Sequence, residues 1–282
     1  MDYFHQLQTA VTYIEEHLAE DIIPGDIAEQ AGYSLFHFCR IFQGIAGESV
    51  MEYVRNRRLT KAACALVRSN RRILDIALDY AYESQAAFTR SFKRAYGVTP
   101  GRYRRQGKYM PLRVPLILAS PGSQGESMEP TIVNLDAFIV VGLEYVGKNE
   151  NGEIPALWDQ YNARCGEVRH KTVPEAYLGV CGEMRSDGSY SYTAGARVTT
   201  AADVPVGMVA KVVPAAKYAV FTHRGPLFGV EKDLQSTYQY IYGEWLPKSE
   251  YDRADTPDFE LYDERFADGQ ATSEMDIYIP LK

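Results

Sequence analysis

The chain has 282 residues, 46% of them hydrophobic and 24% charged, a balance that favours packed cores over a disordered chain. Its net charge of −7 is unevenly placed: residues 1–113 hold 16 basic and 12 acidic side chains, whereas residues 114–282 hold 14 and 25. Four scattered cysteines and five scattered histidines lack ligand spacing, no apolar run reaches the ~20 residues of a membrane span, and the acidic start MDYFHQLQTAVTYIEEHLAE is unlike a signal peptide, so a cytoplasmic chain without metal or other cofactor, and with no membrane partner, is expected.

Pro24 to Ala31 reads as a short helix with proline in its first turn, and Gly32 supplies a sharp turn. From about Ser34 a second helix follows, since Phe38, Ile41, Phe42 and Ile45 recur at i, i+3, i+4, i+7 and so face a core. Its opposite face then presents Phe36, Cys39, Arg40 and Gln43. Ser49 to Arg68 continues as one helical pattern of ~20 residues, about 30 Å long at 1.5 Å per residue. The helix-turn-helix pattern then returns: Ile27, Ala28, Gly32 and Tyr33 correspond to Ile76, Ala77, Ala81 and Tyr82, and Ser34, Phe38, Arg40 and Phe42 to Ser84, Phe88, Arg90 and Phe92. The second copy buries Phe88, Phe92 and Ala95 and exposes Ala86, Thr89, Arg90 and Lys93. Residues 55–105 carry 13 basic and 3 acidic side chains, a concentration that attracts a polyanion. Two helix pairs joined by a helix of this length match the ~34–36 Å spacing of successive major grooves on duplex DNA.

Residues 1–107 resemble the DNA-binding domain of the AraC/XylS family. The likeness is carried by IAEQAGYSLFHFCRIFQGIAGESVMEYVRNRRL and ILDIALDYAYESQAAFTRSFKRAYGVTPGRYRR, closing on Thr99 as cap and Pro100 at the start of a last basic helix. The resemblance implies a transcription regulator that meets promoter DNA and RNA polymerase, most simply an activator. It places Phe36, Cys39, Arg40 and Gln43 of one recognition helix, and Gln85, Ala86, Ala87, Thr89, Arg90 and Lys93 of the other, toward DNA. Arginine pairs bidentately with guanine and glutamine with adenine, at ~1–3 kcal/mol of discrimination each. Cys39 and Ala86 depart from the longer polar residues usual there, which shifts weight toward DNA shape. Ala81 replaces the usual glycine, a strain if that residue is left-handed.

Residues 108–127 read as a linker rich in Pro, Gly and Ser, part of which is expected to dock as a strand. Beyond it the periodicity becomes alternating: VNLDAFIVVGLEYVG gives strand, turn, strand, then a helix through Ala156 to Gly166. Val133, Phe138 and Val140 recur 80 residues on as Val213, Tyr218 and Val220, and a second helix follows from about Leu227 to Leu246. Two pseudo-symmetric strand-helix-strand halves, an α+β domain after an all-α one, are predicted, with a ligand groove along the pseudo-symmetry axis.

Residues 128–282 resemble the GyrI-like small-molecule-binding domain through YLGVCGEM, YSYTAGARV, VPAAKYAVFTHRGP, YQYIYGEWLPKSEY, FELYDERF and EMDIYIPLK. The order of the two domains resembles the Rob-like arrangement of regulators, which implies an amphipathic, often cationic effector and multidrug binding. The family's pocket glutamate corresponds to Glu260, with Glu183 a second candidate. Tyr145, Trp158, Tyr192, Phe221 and Trp245 are expected aromatic walls, and the 19 aromatics after residue 113 suit a cation at ~0.5–2 kcal/mol each. The HRG run at His223 reads as strand-end and turn chemistry rather than catalysis. An enzymatic alternative, hydrolysis of electrophilic compounds through Glu183, Glu260 and Tyr192, stands behind the non-enzymatic reading.

Overall fold

A computed structural model describes residues 3–116, 128–149, 152–185, 187–225, 234–267 and 272–282, with only the backbone of Tyr3, Phe4 and Glu183. The chain divides into two compact units, Asp2–Ala119 and Ser120–Lys282. Among the described residues no helix is long and apolar enough to cross a membrane.

The first unit is helical: α1 (Tyr3–Glu16), α2 (Pro24–Gln30), α3 (Leu35–Ala46), α4 (Val50–Arg68), α5 (Ile73–Asp79), α6 (Gln85–Tyr96) and α7 (Pro100–Gln106). Local sequence explains the boundaries. The hydroxyls of Ser34, Ser49 and Ser84 accept the backbone N–H groups of His37, Glu52 and Ala87 at 3.3, 3.2 and 3.2 Å, which opens α3, α4 and α6. Gly47 and Gly97 close α3 and α6 in the left-handed region, where a side chain would be strained. Thr99 stands at the cap position of α7, but its side chain makes no capping bond. Extended backbone at Thr99 and the fixed φ of Pro100 are enough to start that helix.

The two helix-turn-helix units repeat down to their hydrogen bonds. Gly32 N–H reaches Glu29 O at 2.9 Å and Tyr33 N–H reaches Ala28 O at 3.1 Å; Ala81 and Tyr82 bond Leu78 and Ala77 in the same way, both at 3.1 Å. Gly32 has φ 71° and Ala81 φ 58°, so the second turn does hold an alanine in the left-handed region. Helix α4 is the shared spine. Near its start Tyr53 meets Phe42 edge-on at 5.7 Å, and toward its end Leu59, Ala62, Ala63 and Leu66 pack with Ile76, Ala77, Phe88, Phe92 and Tyr103. Each large apolar side chain so buried stabilises the unit by about 1.5–3 kcal/mol.

The second unit contains β1 (Thr131–Leu135), β2 (Phe138–Gly147), α8 (Glu153–Arg164), β3 (Tyr177–Met184), β4 (Tyr190–Val198), β5 (Val209–Val213), β6 (Ala216–Arg224), α9 (Leu234–Tyr240), β7 (Phe259–Tyr262) and β8 (Glu274–Leu281). Helix α9 runs on through a π turn at Ile241–Trp245 and one α turn at Leu246–Lys248. Each half therefore runs strand, strand, helix, strand, strand. The eight strands form one antiparallel sheet in the order β1-β6-β8-β7-β3-β4-β2-β5. Exchanging the halves reverses that order onto itself, so the pseudo-symmetry axis passes between β3 and β7. One sheet face packs Val141, Tyr192, Ala194 and Ala196 against Leu157 and Tyr161 of α8. The other buries Val140, Leu178, Val180, Val213, Tyr218 and Phe259.

Residues 108–116 have no regular secondary structure, so the expected docking strand is absent from the described part of the linker. Residues 117–127 and Leu227, where the second helix was expected to begin, lie outside the described residues.

Candidate functional site

The central strand pair, β3 and β7, carries a buried carboxylate. Glu260 lies opposite Gly179 in register and is 9% exposed. A carboxylate in such a place needs donors, because burying an unpaired charge costs far more than its packing returns. Three tyrosines provide them. Glu260 Oε2 accepts the hydroxyls of Tyr192 at 3.0 Å and Tyr262 at 3.1 Å, and Oε1 accepts that of Tyr238 at 2.9 Å.

The elements position these groups from three sides. Tyr262 follows Glu260 by two on β7, so strand alternation sets both on one face. Tyr192 comes from β4 and Tyr238 from α9. Helix α8 adds Trp158, whose Nε1–H donates to the Tyr192 hydroxyl at 3.0 Å and whose ring meets Tyr262 edge-on at 5.1 Å. Gly179 makes the approach sterically feasible. A Cβ there would lie 2.0 Å from Tyr192 Oη and 2.9 Å from Glu260 Oε2.

Burial, and then the charge of Glu260, push the Tyr192 and Tyr262 hydroxyls well above the ordinary tyrosine range. Both stay protonated and remain donors across physiological pH. The result is a buried carboxylate held by three hydroxyl donors, with the Trp158 indole one hydrogen bond further out.

Of the residues expected from sequence, Glu260, Tyr192 and Trp158 come together here. Tyr145 pairs with Tyr192 across β2 and β4, and its hydroxyl accepts the Asn149 N–H at 2.9 Å. Phe221 is fully buried and meets Trp245 edge-on at 5.0 Å, a core contact that corrects its place as a ligand wall. Glu183 lies on β3, and its side chain is outside the described residues. Tyr238, Tyr262 and Gly179 were missed. Alternation along FELY was a usable signal for Tyr262, whereas Tyr238 and Gly179 reach Glu260 only through folding. His223 is buried with Nδ1 2.8 Å from Thr237 Oγ1, a packing contact beneath α9. No group of residues that could hold a metal occurs among the described residues.

In the helical unit, Gln85, Ala86, Arg90 and Lys93 are exposed on α6 and Thr89 is half-buried. On α3, Phe36, Arg40 and Gln43 are half-buried, with Arg40 Nε out of solvent. Cys39 corrects the sequence reading: it is 7% exposed, and burial pushes its thiol up to about 12. The physical reason is that α3 packs on two sides, through His37 against Tyr33 and through Phe42 against Tyr53, so its apolar arc is wider than one stripe. The second recognition helix is the more exposed and the more basic.

A duplicated helix-turn-helix unit is thus joined in one chain to a duplicated α+β domain with a buried carboxylate. Residues 128–282 match the GyrI-like small molecule binding domain, and residues 27–106 match a helix-turn-helix domain. The chain belongs to the GyrI-like family. The HTH-type transcriptional regulator YbfP of Bacillus subtilis is 50% identical over 104 residues, 37% of this chain and 35% of that protein. The transcriptional regulator BrlR of Pseudomonas aeruginosa is 37% identical over 156 residues, 55% of this chain and 56% of that protein. The right origin-binding protein of Escherichia coli is 28% identical across 100% of both. Among solved structures, SAV2435 bound to tetraphenylphosphonium aligns at 21% identity over 55% of this chain and 94% of that one, with a TM-score of 0.46. The chain thus spans about a third and a half of the first two relatives.

Proposed function

We propose that this chain is a cytoplasmic transcription activator that binds promoter DNA through both helix-turn-helix units and responds to an amphipathic cation held at Glu260. The observation that carries the ligand class is the buried Glu260 carboxylate ringed by Tyr192, Tyr238 and Tyr262, with Trp158 behind them. A cation that approaches this carboxylate is attracted by its charge while the tyrosine hydroxyls stay in place, so affinity depends on the negative charge. Selectivity follows from the aromatic ring faces, which reward flat or lipophilic cations.

DNA contact rests on Arg90, Lys93, Gln85, Ala86 and Thr89 of α6 and on Phe36, Arg40 and Gln43 of α3, with Cys39 in a packing role. Ligand binding shifts promoter or RNA polymerase engagement by no more than its differential affinity for two states of the protein. The domain acts as a sensor and not as an enzyme: Glu260 is committed to three hydroxyl donors, an arrangement that stabilises a standing charge rather than one poised to attack or to take a proton.

The test is calorimetric titration of tetraphenylphosphonium into the full chain and into Glu260→Gln. Saturable binding that falls by at least about tenfold in the variant is expected. Equal affinities in the two proteins would remove the carboxylate from the mechanism. Gel-shift titration with a duplex from the chain's own upstream region tests the DNA half, and absence of a salt-sensitive, sequence-selective complex would refute it.

A further inference from the structure

Residues 109–116 follow α7 without regular structure, yet four of their backbone N–H groups are bonded to side-chain hydroxyls. Met110 N–H donates to Tyr103 Oη at 2.7 Å, Leu112 N–H to Tyr96 Oη at 3.3 Å, Arg113 N–H to Thr60 Oγ1 at 3.0 Å and Leu116 N–H to Tyr53 Oη at 3.0 Å. Tyr103 donates back to Met110 O at 3.1 Å, and Arg57 donates to Arg113 O. The Arg113 guanidinium pairs with Glu48 at 2.7 Å. Beneath this ladder, Arg57 holds Glu15 of α1 through bonds of 2.6 and 2.7 Å.

The partners come from both helix-turn-helix units. Tyr96 ends α6, Tyr103 lies on α7, Thr60 and Tyr53 lie along α4, and Glu48 stands in the turn just after α3. Apolar burial contributes little to the docking: Tyr109, Met110, Leu112 and Val114 remain 41%, 70%, 38% and 58% exposed. A segment held by polar contacts, with its apolar side chains in water, is the kind that opens locally while the rest of the unit stays folded.

We propose that residues 109–116 are a strap that fixes the spacing of the two helix-turn-helix units, and that its docking sets DNA affinity. The inference rests on the DNA-binding reading above and names its positioning element. The expected consequence of release is loss of the second head's phosphate contacts, because the two heads no longer meet one face of the duplex together.

The experiment uses the full chain, with Thr60→Val combined with Tyr103→Phe, which keep volume and remove two hydroxyls of the ladder. Arg113→Ala, which removes the half-buried guanidinium paired with Glu48 and leaves the hydroxyl ladder in place, serves if the double variant fails to fold. Hydrogen exchange of the peptide spanning residues 108–117 and gel-shift affinity for the upstream duplex are measured at several salt concentrations. The wild type is expected to protect the strap amides; the variants are expected to lose that protection, bind DNA at least about fivefold more weakly and show a shallower salt slope. Unprotected strap amides in the wild type would overturn the proposal, as would released amides with unchanged affinity and salt slope. Absence of any wild-type complex would instead sink the DNA-binding reading, and the strap's role with it.

Discussion

Ala81 and Gly32 occupy equivalent turns with the same hydrogen bonds, which makes exchanging them a controlled measurement of backbone strain. Ala81 sits at φ 58°, where an L-residue is disfavoured by about 1–2 kcal/mol. Its methyl group is exposed, so deleting it removes little packing. Glycine there relieves the strain but returns freedom to the unfolded chain, an offset of about 0.4–1 kcal/mol. The expected net effect of Ala81→Gly is stabilisation by about 0.5–1 kcal/mol, or a rise of roughly 2–5 °C in melting temperature for a unit of this size. The reverse change supplies the control. At Gly32 the nearest atom to an added Cβ is Gln6 Nε2 at 3.9 Å, so Gly32→Ala introduces backbone strain without a clash and is expected to cost about 1 kcal/mol. Both are read as melting curves at 222 nm, where the helical unit dominates. A destabilised Ala81→Gly, or a Gly32→Ala protein as stable as the parent, would refute the argument.

Gly179→Ala places a methyl 2.0 Å from Tyr192 Oη, so the tyrosine is expected to leave Glu260 and tetraphenylphosphonium affinity to fall several-fold, checked by the same titration, with a stability loss of about 1–3 kcal/mol. Burial alone raises the Glu15 carboxyl, but the hydrogen bonds and charge of Arg57 outweigh it and leave Glu15 below its ordinary value. Its contribution is therefore complete above pH ~4.5 and lost as the pH falls through the depressed value, so Glu15→Gln should flatten the acid limb of the helical unit's stability curve followed by circular dichroism. Arg90→Ala is expected to cost about 1–3 kcal/mol of affinity at specific sites and relax one base preference, whereas Lys93→Ala should weaken binding evenly and reduce the salt slope by about one, both read by gel shift across sequences and salt.

Much of the fold is legible from local chemistry. Ser34, Ser49 and Ser84 cap helices, Gly32 and Ala81 mark the turns, and Phe88 and Phe92 face the core because the 3.6-residue period leaves them nowhere else to go. The duplication of both halves could be read from repeated spacing, and Glu260 was marked out only by its place in FELYDERF, the run that resembles the GyrI-like domain. Cys39 could not, because whether a helix buries one stripe or a wider arc depends on how many neighbours flank it.

What sequence settles about this protein is whatever propagates along the chain: periodicity, caps, turn residues, the split of charge between +4 and −11, and the order of the domains. Cross-strand and cross-helix meetings belong to the tertiary structure alone. Tyr192, Tyr238 and Glu260 are separated by 68 and 22 residues and share one carboxylate only because β4, α9 and β7 converge. The same holds for the linker, whose amides find Tyr53, Thr60, Tyr96 and Tyr103 across three helices. A hydrogen bond between distant segments leaves no period in a single chain, so nothing short of the folded backbone reveals it.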